Sequence, residues 1–449
     1  MLYKLGRHPF LQTRVCEMRI SSRFNSSRWT LKRFTSTSTH DGGELANESD
    51  SRRHSGRIHI LGVGNVGGFI AHALASRPSP PPITLLLQDS NIYRQWIEKK
   101  QAIAVHSDGL DSIKSGFDIS VLNEKIWYSV PAWSGNKSEE EGYSFLAQRS
   151  QDTKVSQVFS ELVEDDSHID CLIVTCKAPQ TVKAVTSVKH RLSPDSTILF
   201  LQNGMGVFDE VNSKVFPFPE TRPHYVSGVF SHGLARKGPF HVDHKAIGTT
   251  LLSPVSQSGA LISQVNEQST DWEPTTKYLL HTLNLTQQLV ATTETPVALL
   301  QYQLEKLAMN AVINSMTALL DCVNGELLYN YSLTRVMRMI LMEVSTVICA
   351  LPELKDIPGI EDRFSAERLR RITVLLANKT GCNTSSMLQD MQYRRMLEVH
   401  YINGYIVRRG EELGIKCALN YMIMHLLLGK RSVLRQRESG AIPIDLSGP

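Results

Sequence analysis

At 449 residues, with 41% hydrophobic and 20% charged side chains, the chain is long enough for two domains with sizeable cores and has the balance of an ordinary globular protein. The net charge of +4 is unevenly placed: residues 1–40 hold eight Lys/Arg against the single acid Glu17, and the remainder carries 40 basic and 43 acidic side chains. A slightly acidic body argues against a nucleic-acid surface, and no apolar run reaches the roughly 18 residues of a membrane span; "VMRMILMEVSTVICAL" (336–351) is broken by Arg338 and Glu343.

The first 40 residues are rich in Arg, Ser and Thr, the composition of a mitochondrial transit peptide, which predicts a matrix location. The polar stretch 40–56 reads as a linker, so presequence and linker together occupy 1–55. From "RIHILGVGNVGGFIAHALAS" onward the pattern is strand (57–61), glycine-rich turn, helix (69–75). "ITLLLQ" (83–88), "DCLIVTCK" (170–177) and "STILFLQN" (196–203) are continuous apolar strands of the kind buried on both faces of a parallel sheet. Between them, 134–154 is a polar surface insertion, and 230–253 reads as strands and turns closing the sheet. Beyond about residue 275 helical periodicity dominates, over 276–351 and again over 366–430. The fold class is therefore α/β: a Rossmann-type dinucleotide-binding domain over 56–270, a mostly helical substrate domain over 271–435, and a tail over 436–449.

Gly62-Val63-Gly64-Asn65-Val66-Gly67 is a G-x-G-x-x-G turn between a strand and a helix, the context in which it holds a dinucleotide pyrophosphate. At the end of the second strand, Asp89 suits a ribose 2′-hydroxyl and Arg94, Lys99 and Lys100 suit a 2′-phosphate, which leaves NAD and NADP both open. Asp89 also suits an ordinary turn. Lys177 and Asn203-Gly204 follow later strands, where an α/β fold opens its ligand crevice; each either meets cofactor or makes a cap or turn.

In "EKLAMNAVINSMTALLDCVNGE" (305–326), Lys306, Asn310 and Asn314 recur at i, i+4, i+8, with Thr317 near the same row of an otherwise apolar helix. A buried ammonium and two buried amides are costly without partners, so the row is read as the wall of a cleft for an anionic, hydroxyl-bearing substrate. Farther on, Ser386 precedes a helical run as either a carboxylate ligand or a helix cap, and Glu398 lies within the run among apolar neighbours. His400 is either a base or, as the plainer reading, a surface histidine. The seven cysteines have neither disulfide-framework nor zinc spacing, so reduced structural thiols and no metal are expected.

With these residues assembled, the chain resembles the ketopantoate reductase (2-dehydropantoate 2-reductase) family from about residue 57 to 430. The likeness is carried by "GVGNVG", "VTCKAPQT", "LQNGMGV", "KLAMNAVINSMTALLDCVNGEL" and "SSMLQDMQYRRMLEVHYINGYIVRRGEELGI". It implies NADP(H) as cofactor, held at the 62–67 turn, and a small 2-keto acid as substrate. It implies Lys306 as proton donor and places Asn310, Asn314, Asn324 and Ser386 around pantoate. Asn203 and Glu398 would contact the cofactor and the reacting region. Two positions depart from the family's pattern: Gln88-Asp89-Ser90 replaces a basic residue after the second strand, and His400 replaces the acid of an E-x-D pattern. No nucleic-acid partner is expected, and a homo-oligomer is left open. Two other readings stand beside this one: a reductase of another small 2-keto acid, and a non-catalytic mitochondrial binding or assembly factor that kept the fold.

Overall fold

The computed structural model describes residues 54–130, 163–255 and 272–439; the leader, the 134–154 insertion and the tail beyond 439 lie outside the described residues. β1 (Ile58–Leu61) runs through the glycine turn into α1 (Asn65–Ala75), and β2 (Ile83–Leu87) runs into α2 (Ser90–Glu98). Five strands follow: β3 (Ile103–Ser107), β4 (Leu110–Lys114), β5 (Asp118–Asn123), β6 (Ile126–Val130) and β7 (Val163–Glu164). β8 (Cys171–Val174) leads to α3 (Ala178–Val188), and β9 (Thr197–Phe200) to α4 (Val207–Lys214). β10 (His224–Phe230), β11 (Gly233–Gly238), β12 (His241–Ala246) and β13 (Thr250–Val255) complete this stretch.

Six of these strands are parallel neighbours in the order β10-β9-β8-β1-β2-β5, and the chain reverses its direction of growth at β1. Every residue of β1, β2, β8 and β9 is buried, as expected for strands covered on both faces. The carboxyl ends at such a reversal point form a crevice, because the two flanking helices leave it on opposite faces.

The stretch 230–253 does not simply close this sheet. β13 pairs antiparallel with β10, but β11 and β12 join β3 and β4 in a separate four-stranded sheet. The change to helical packing also falls later than residue 271. α5 (Pro274–Asn284) packs on β8, β9 and β10, and β14 (Ala291–Thr293) adds a parallel strand beside β13. Both belong to the sheet layer.

The helical part is organised around α6 (Pro296–Leu320), whose Thr295 hydroxyl caps it by accepting from Ala298 N at 3.2 Å and whose Pro296 fits the first turn. It ends where Asp321 turns left-handed, at φ 56°. Around it stand α7 (Tyr331–Cys349), the single turn α8 (Ile360–Arg363), α9 (Ala366–Lys379), α10 (Ser386–Gln392), α11 (Asn403–Glu412) and α12 (Ala418–Ser439). α6 touches β10 and β13 as well as α7, α9, α10 and α12. No helix among the described residues is long and apolar enough to cross a membrane.

A buried polar network fixes how these helices meet. Asn403, fully buried on α11, donates to Ala311 O and to Asn420 Oδ1, both at 3.0 Å, and accepts from Ser315 Oγ at 2.5 Å. Glu343 of α7 then accepts from Leu419 N, Asn420 N and Asn420 Nδ2 at 2.9–3.0 Å, capping the first turn of α12 from a neighbouring helix. Removing a charged acceptor from buried donors costs about 1–3 kcal/mol per group left unpaired. Glu343→Ala should therefore lower unfolding stability by about 2–4 kcal/mol in urea titration. A loss under about 0.5 kcal/mol, the size of an ordinary surface change, would show that water satisfies the freed donors.

Candidate active site

The glycine turn has little room on its protein side. Gly62 has φ +102°, and a Cβ there would lie 2.5 Å from Cys176 N. A Cβ on Gly67 would lie 2.3 Å from Gly62 O, whose oxygen also accepts from Thr175 Oγ1 at 2.5 Å. Gly64 is different: a Cβ there would meet nothing within 4 Å. That open face lies at the start of α1, which has neither a side-chain cap nor an acid in its first turn. Unsatisfied N–H groups with open space in front of them fit an anionic group such as a pyrophosphate. Asn65, Val63 and Val66 complete the turn and pass into the helix.

Asp89 is the cap of α2, accepting from Ile92 N at 2.8 Å.

Beside the turn, the ends of β8 and β9 meet the helical part through one carboxylate. Glu398, 4% exposed, accepts from Lys177 Nζ at 3.4 Å, Ala178 N at 3.3 Å and Asn203 Nδ2 at 3.3 Å. Ala178 is the first residue of α3, so the negative charge sits at a helix N-terminus. Lys177 also donates to Asp390 at 2.8 Å, an acid that is 2% exposed. Burial pushes the Asp390 carboxyl up against the opposing pull of Lys177. Burial works to lower the Lys177 pKa, but Glu398 and Asp390 outweigh it and the value ends above that of a free lysine. The loop carrying Asn203 is fastened to the same region, with Met205 N donating to Tyr401 O at 2.8 Å.

Lys306 of α6 lies across from this cluster. Its Nζ donates to the carbonyl of Phe230, the last residue of β10, at 2.8 Å. Desolvation brings its pKa down to about 8, and the charge of Glu398 works in the opposite direction. Lys306 and Asn310 line a crevice with Gln202, Asn203, Gln303 and Val229, and the Asn310 amide has no hydrogen-bond partner among the described residues. An ammonium that titrates near neutrality can give up a proton where negative charge develops on a bound oxygen.

The rest of the polar row diverges. Asn314 is buried and donates to Ser386 Oγ at 3.4 Å, and Thr317 exchanges a hydrogen bond with Ser385 at 2.7 Å. Ser385, not Ser386, caps α10, leaving the exposed Ser386 hydroxyl to Asn314. Asn324 stands in a turn beyond α6, bonded to Thr380 Oγ1 at 2.9 Å, with its own carbonyl oxygen buried and unpartnered; it does not line the crevice around Lys306. Glu398 is not within a helix. α10 stops at Gln392, Arg394 adopts φ 56°, and Glu398 opens a short 3₁₀ turn over Val399–Tyr401 that carries the exposed His400.

Asp390, Gln202 and Gln303 were not distinguished by residue pattern. Gln303 precedes Lys306 by one helical turn, the one local signal that could have found it. The six described cysteines are free, and burial raises the Cys176 thiol to about 11. No group of three or more metal-type ligands occurs among the described residues.

Two family models match the chain: "Ketopantoate reductase PanE/ApbA" over residues 130–257 and "Ketopantoate reductase PanE/ApbA C terminal" over 298–431. A probable 2-dehydropantoate 2-reductase of Schizosaccharomyces pombe is 30% identical over 383 residues, covering 85% of this chain and 98% of that protein. A ketoisovalerate reductase of Gibberella fujikuroi is 27% identical, covering 78% of this chain and 77% of its own. In fold, the chain is similar to D-mandelate dehydrogenase solved with NADH and anilino(oxo)acetate, with a TM-score of 0.61 at 19% identity, covering 84% of this chain and 99% of that one.

The electrostatics around Lys306 give a first test. Glu398→Gln keeps the shape of the side chain but removes the charge that raises the Lys306 pKa. The variant should titrate Lys306 below about 8, as followed by NMR of the lysine side chains. An unchanged value would mean that the two groups are electrically independent.

Proposed function

The chain belongs to the ketopantoate reductase family, and on that premise we propose that it reduces 2-dehydropantoate (ketopantoate) to pantoate with NADPH, a step toward pantothenate and coenzyme A. One observation carries the reading: Lys306, its pKa near 8, stands beside the unpartnered amide of Asn310 in a crevice at the carboxyl ends of the parallel strands.

The Gly62–Gly67 turn would hold the dinucleotide pyrophosphate, with Lys177, Asn203 and Glu398 around the remainder of the cofactor. When bound, that cofactor supplies a hydride for the 2-keto carbon. Lys306 donates a hydrogen bond to the ketone oxygen and then a proton as the oxygen becomes an alkoxide. The phase of its titration matters: an ammonium is the active form, and a pKa near 8 keeps most of the population protonated at neutral pH. Asn310, with Asn314 and Ser386 farther along the wall, orients the substrate's hydroxyl and carboxylate, a contribution of position rather than of chemistry. Asn324 joins this wall by family likeness alone. The acid-poor first 40 residues support a mitochondrial matrix address for the activity.

A second reading has a specific finding behind it. The similarity to a ketoisovalerate reductase favours a 2-keto acid without the terminal hydroxyl. The half-buried Asn310 amide, unpartnered in the crevice lining, favours the hydroxylated substrate, because a substrate hydroxyl gives it a hydrogen-bond partner that the smaller acid lacks.

The deciding assay follows oxidation of NADPH and of NADH with 2-dehydropantoate, ketoisovalerate and a panel of small 2-keto acids. The highest kcat/KM is expected for NADPH with 2-dehydropantoate. A preference for NADH would remove NADP from the proposal, and nucleotide binding without turnover on any acid would favour a binding factor. Lys306→Ala should lower kcat by a factor of about 10²–10⁴ and leave nucleotide affinity intact. For the parent enzyme, kcat/KM should fall as pH rises through about 8, the value at which Lys306 loses its proton. Near-parental turnover by the alanine variant would sink the assignment.

A further inference from the structure

Lys306 is not the only side chain that ties α6 to β10. Gln303 stands three residues earlier on the same face of the helix and donates Nε2 to Ser227 Oγ at 2.7 Å. Ser227 lies on β10 and is 4% exposed. Phe230, whose carbonyl receives the Lys306 ammonium at 2.8 Å, stands three residues farther along the same strand. Two hydrogen bonds, each three residues apart on helix and on strand, thus fasten one face of α6 to one length of β10. The crevice lies along this seam, lined by Gln303, Lys306 and Asn310 from the helix and by Gly228 and Val229 from the strand.

A lysine side chain has several rotatable bonds and holds its ammonium in one place only when the backbone beneath it is fixed. The Gln303–Ser227 bond supplies that constraint one turn away, where a lost hydrogen bond would loosen the contact of this turn of α6 with the strand. We propose that Gln303, acting through Ser227, is a positioning residue that sets the distance between α6 and β10 and so presents the Lys306 ammonium to the crevice. The proposal rests on the reading of Lys306 as proton donor.

The charged groups around the lysine leave this constraint distinct. Glu398 is the ionisable group whose charge acts on Lys306. Asp390 is taken by Lys177 at 2.8 Å, and Glu305 on the same helix is taken by Arg363 at 3.0 Å and Arg368 at 2.7 Å. On the strand side, His224 lies near Glu273, and His232, just past β10, is engaged with His244 at 3.2 Å and the Leu289 carbonyl at 2.9 Å. A movement of α6 would therefore be felt by Lys306 as a change in desolvation, which is the main cause of its low pKa.

The test uses the full chain with Gln303→Met, which keeps length without the amide, and with Ser227→Ala, which removes one hydroxyl and no backbone contact. Amine modification at Lys306 is followed against pH by peptide mass spectrometry, alongside kcat, KM and nucleotide affinity. In both variants the Lys306 pKa should move up from about 8 toward the ordinary 10.5. kcat should fall about tenfold, a small fraction of a full loss of the proton donor, with nucleotide affinity unchanged. The double variant should match either single one, since both remove the same bond. A parental Lys306 titration in both variants, or a loss seen only in thermal stability, would overturn the proposal. If the parent chain reduces no 2-keto acid, the functional reading falls by itself, and the modification profile still decides whether Gln303 places the lysine.

Discussion

The candidate site depends on one buried carboxylate. Glu398 belongs to the helical part, but the three groups that hold it, the Lys177 ammonium, the Ala178 N–H and the Asn203 amide, all come from the ends of β8 and β9. A carboxylate with 4% exposure is tolerable only because it is satisfied from three directions. That requirement fixes how the sheet's crevice faces the helices. Asp390 adds a second buried acid to the same lysine, so two carboxylates share one strongly held cation. The remaining negative character is felt across the cleft, where it keeps Lys306 from being driven lower by desolvation alone.

α6 carries this balance because it serves two structures at once. It packs on β10 and β13, and it also touches α7, α9, α10 and α12, with Asn403 and Ser315 locking it to α11. The polar atoms of Lys306 and Gln303 are therefore mounted on the most heavily packed helix of the helical part rather than on a loop. A reacting group set on a rigid element keeps its position without having to be ordered at the moment of reaction.

What could be read from sequence follows from range of contact. The parallel strands β1, β2, β8 and β9 were legible because burial on both faces forces a run of apolar residues, and the glycine turn because its spacing is set by local clashes. The four-stranded sheet was not. β4 is "LDSIK" and mostly exposed, and β12, with β11 beside it, finds β3 far away in the chain, so nothing in 230–253 separates them from β10 and β13. The end of α10 was also hidden, since the left-handed Arg394 lies in a run, "QYRRML", with no glycine or proline. Asp390 gains its meaning from a lysine 213 residues earlier. The row at 306, 310 and 314 was right as a polar feature and too simple as a single wall. Each step of four residues turns about 40° past a full circle, so two steps carry Asn314 about 80° from Lys306 and toward Ser386.

That divergence divides the work of the row under the proposed reaction. The proton that Lys306 supplies matters most as charge appears on the ketone oxygen, so its contribution grows between ground state and transition state and is expressed in kcat. Under the same proposal, Asn310, Asn314 and Ser386 would meet parts of the substrate whose charge does not change, so their contacts would act equally before and during the reaction and be expressed in KM. Under the proposed reaction, substrate identity and chemistry would be set by different turns of one helix.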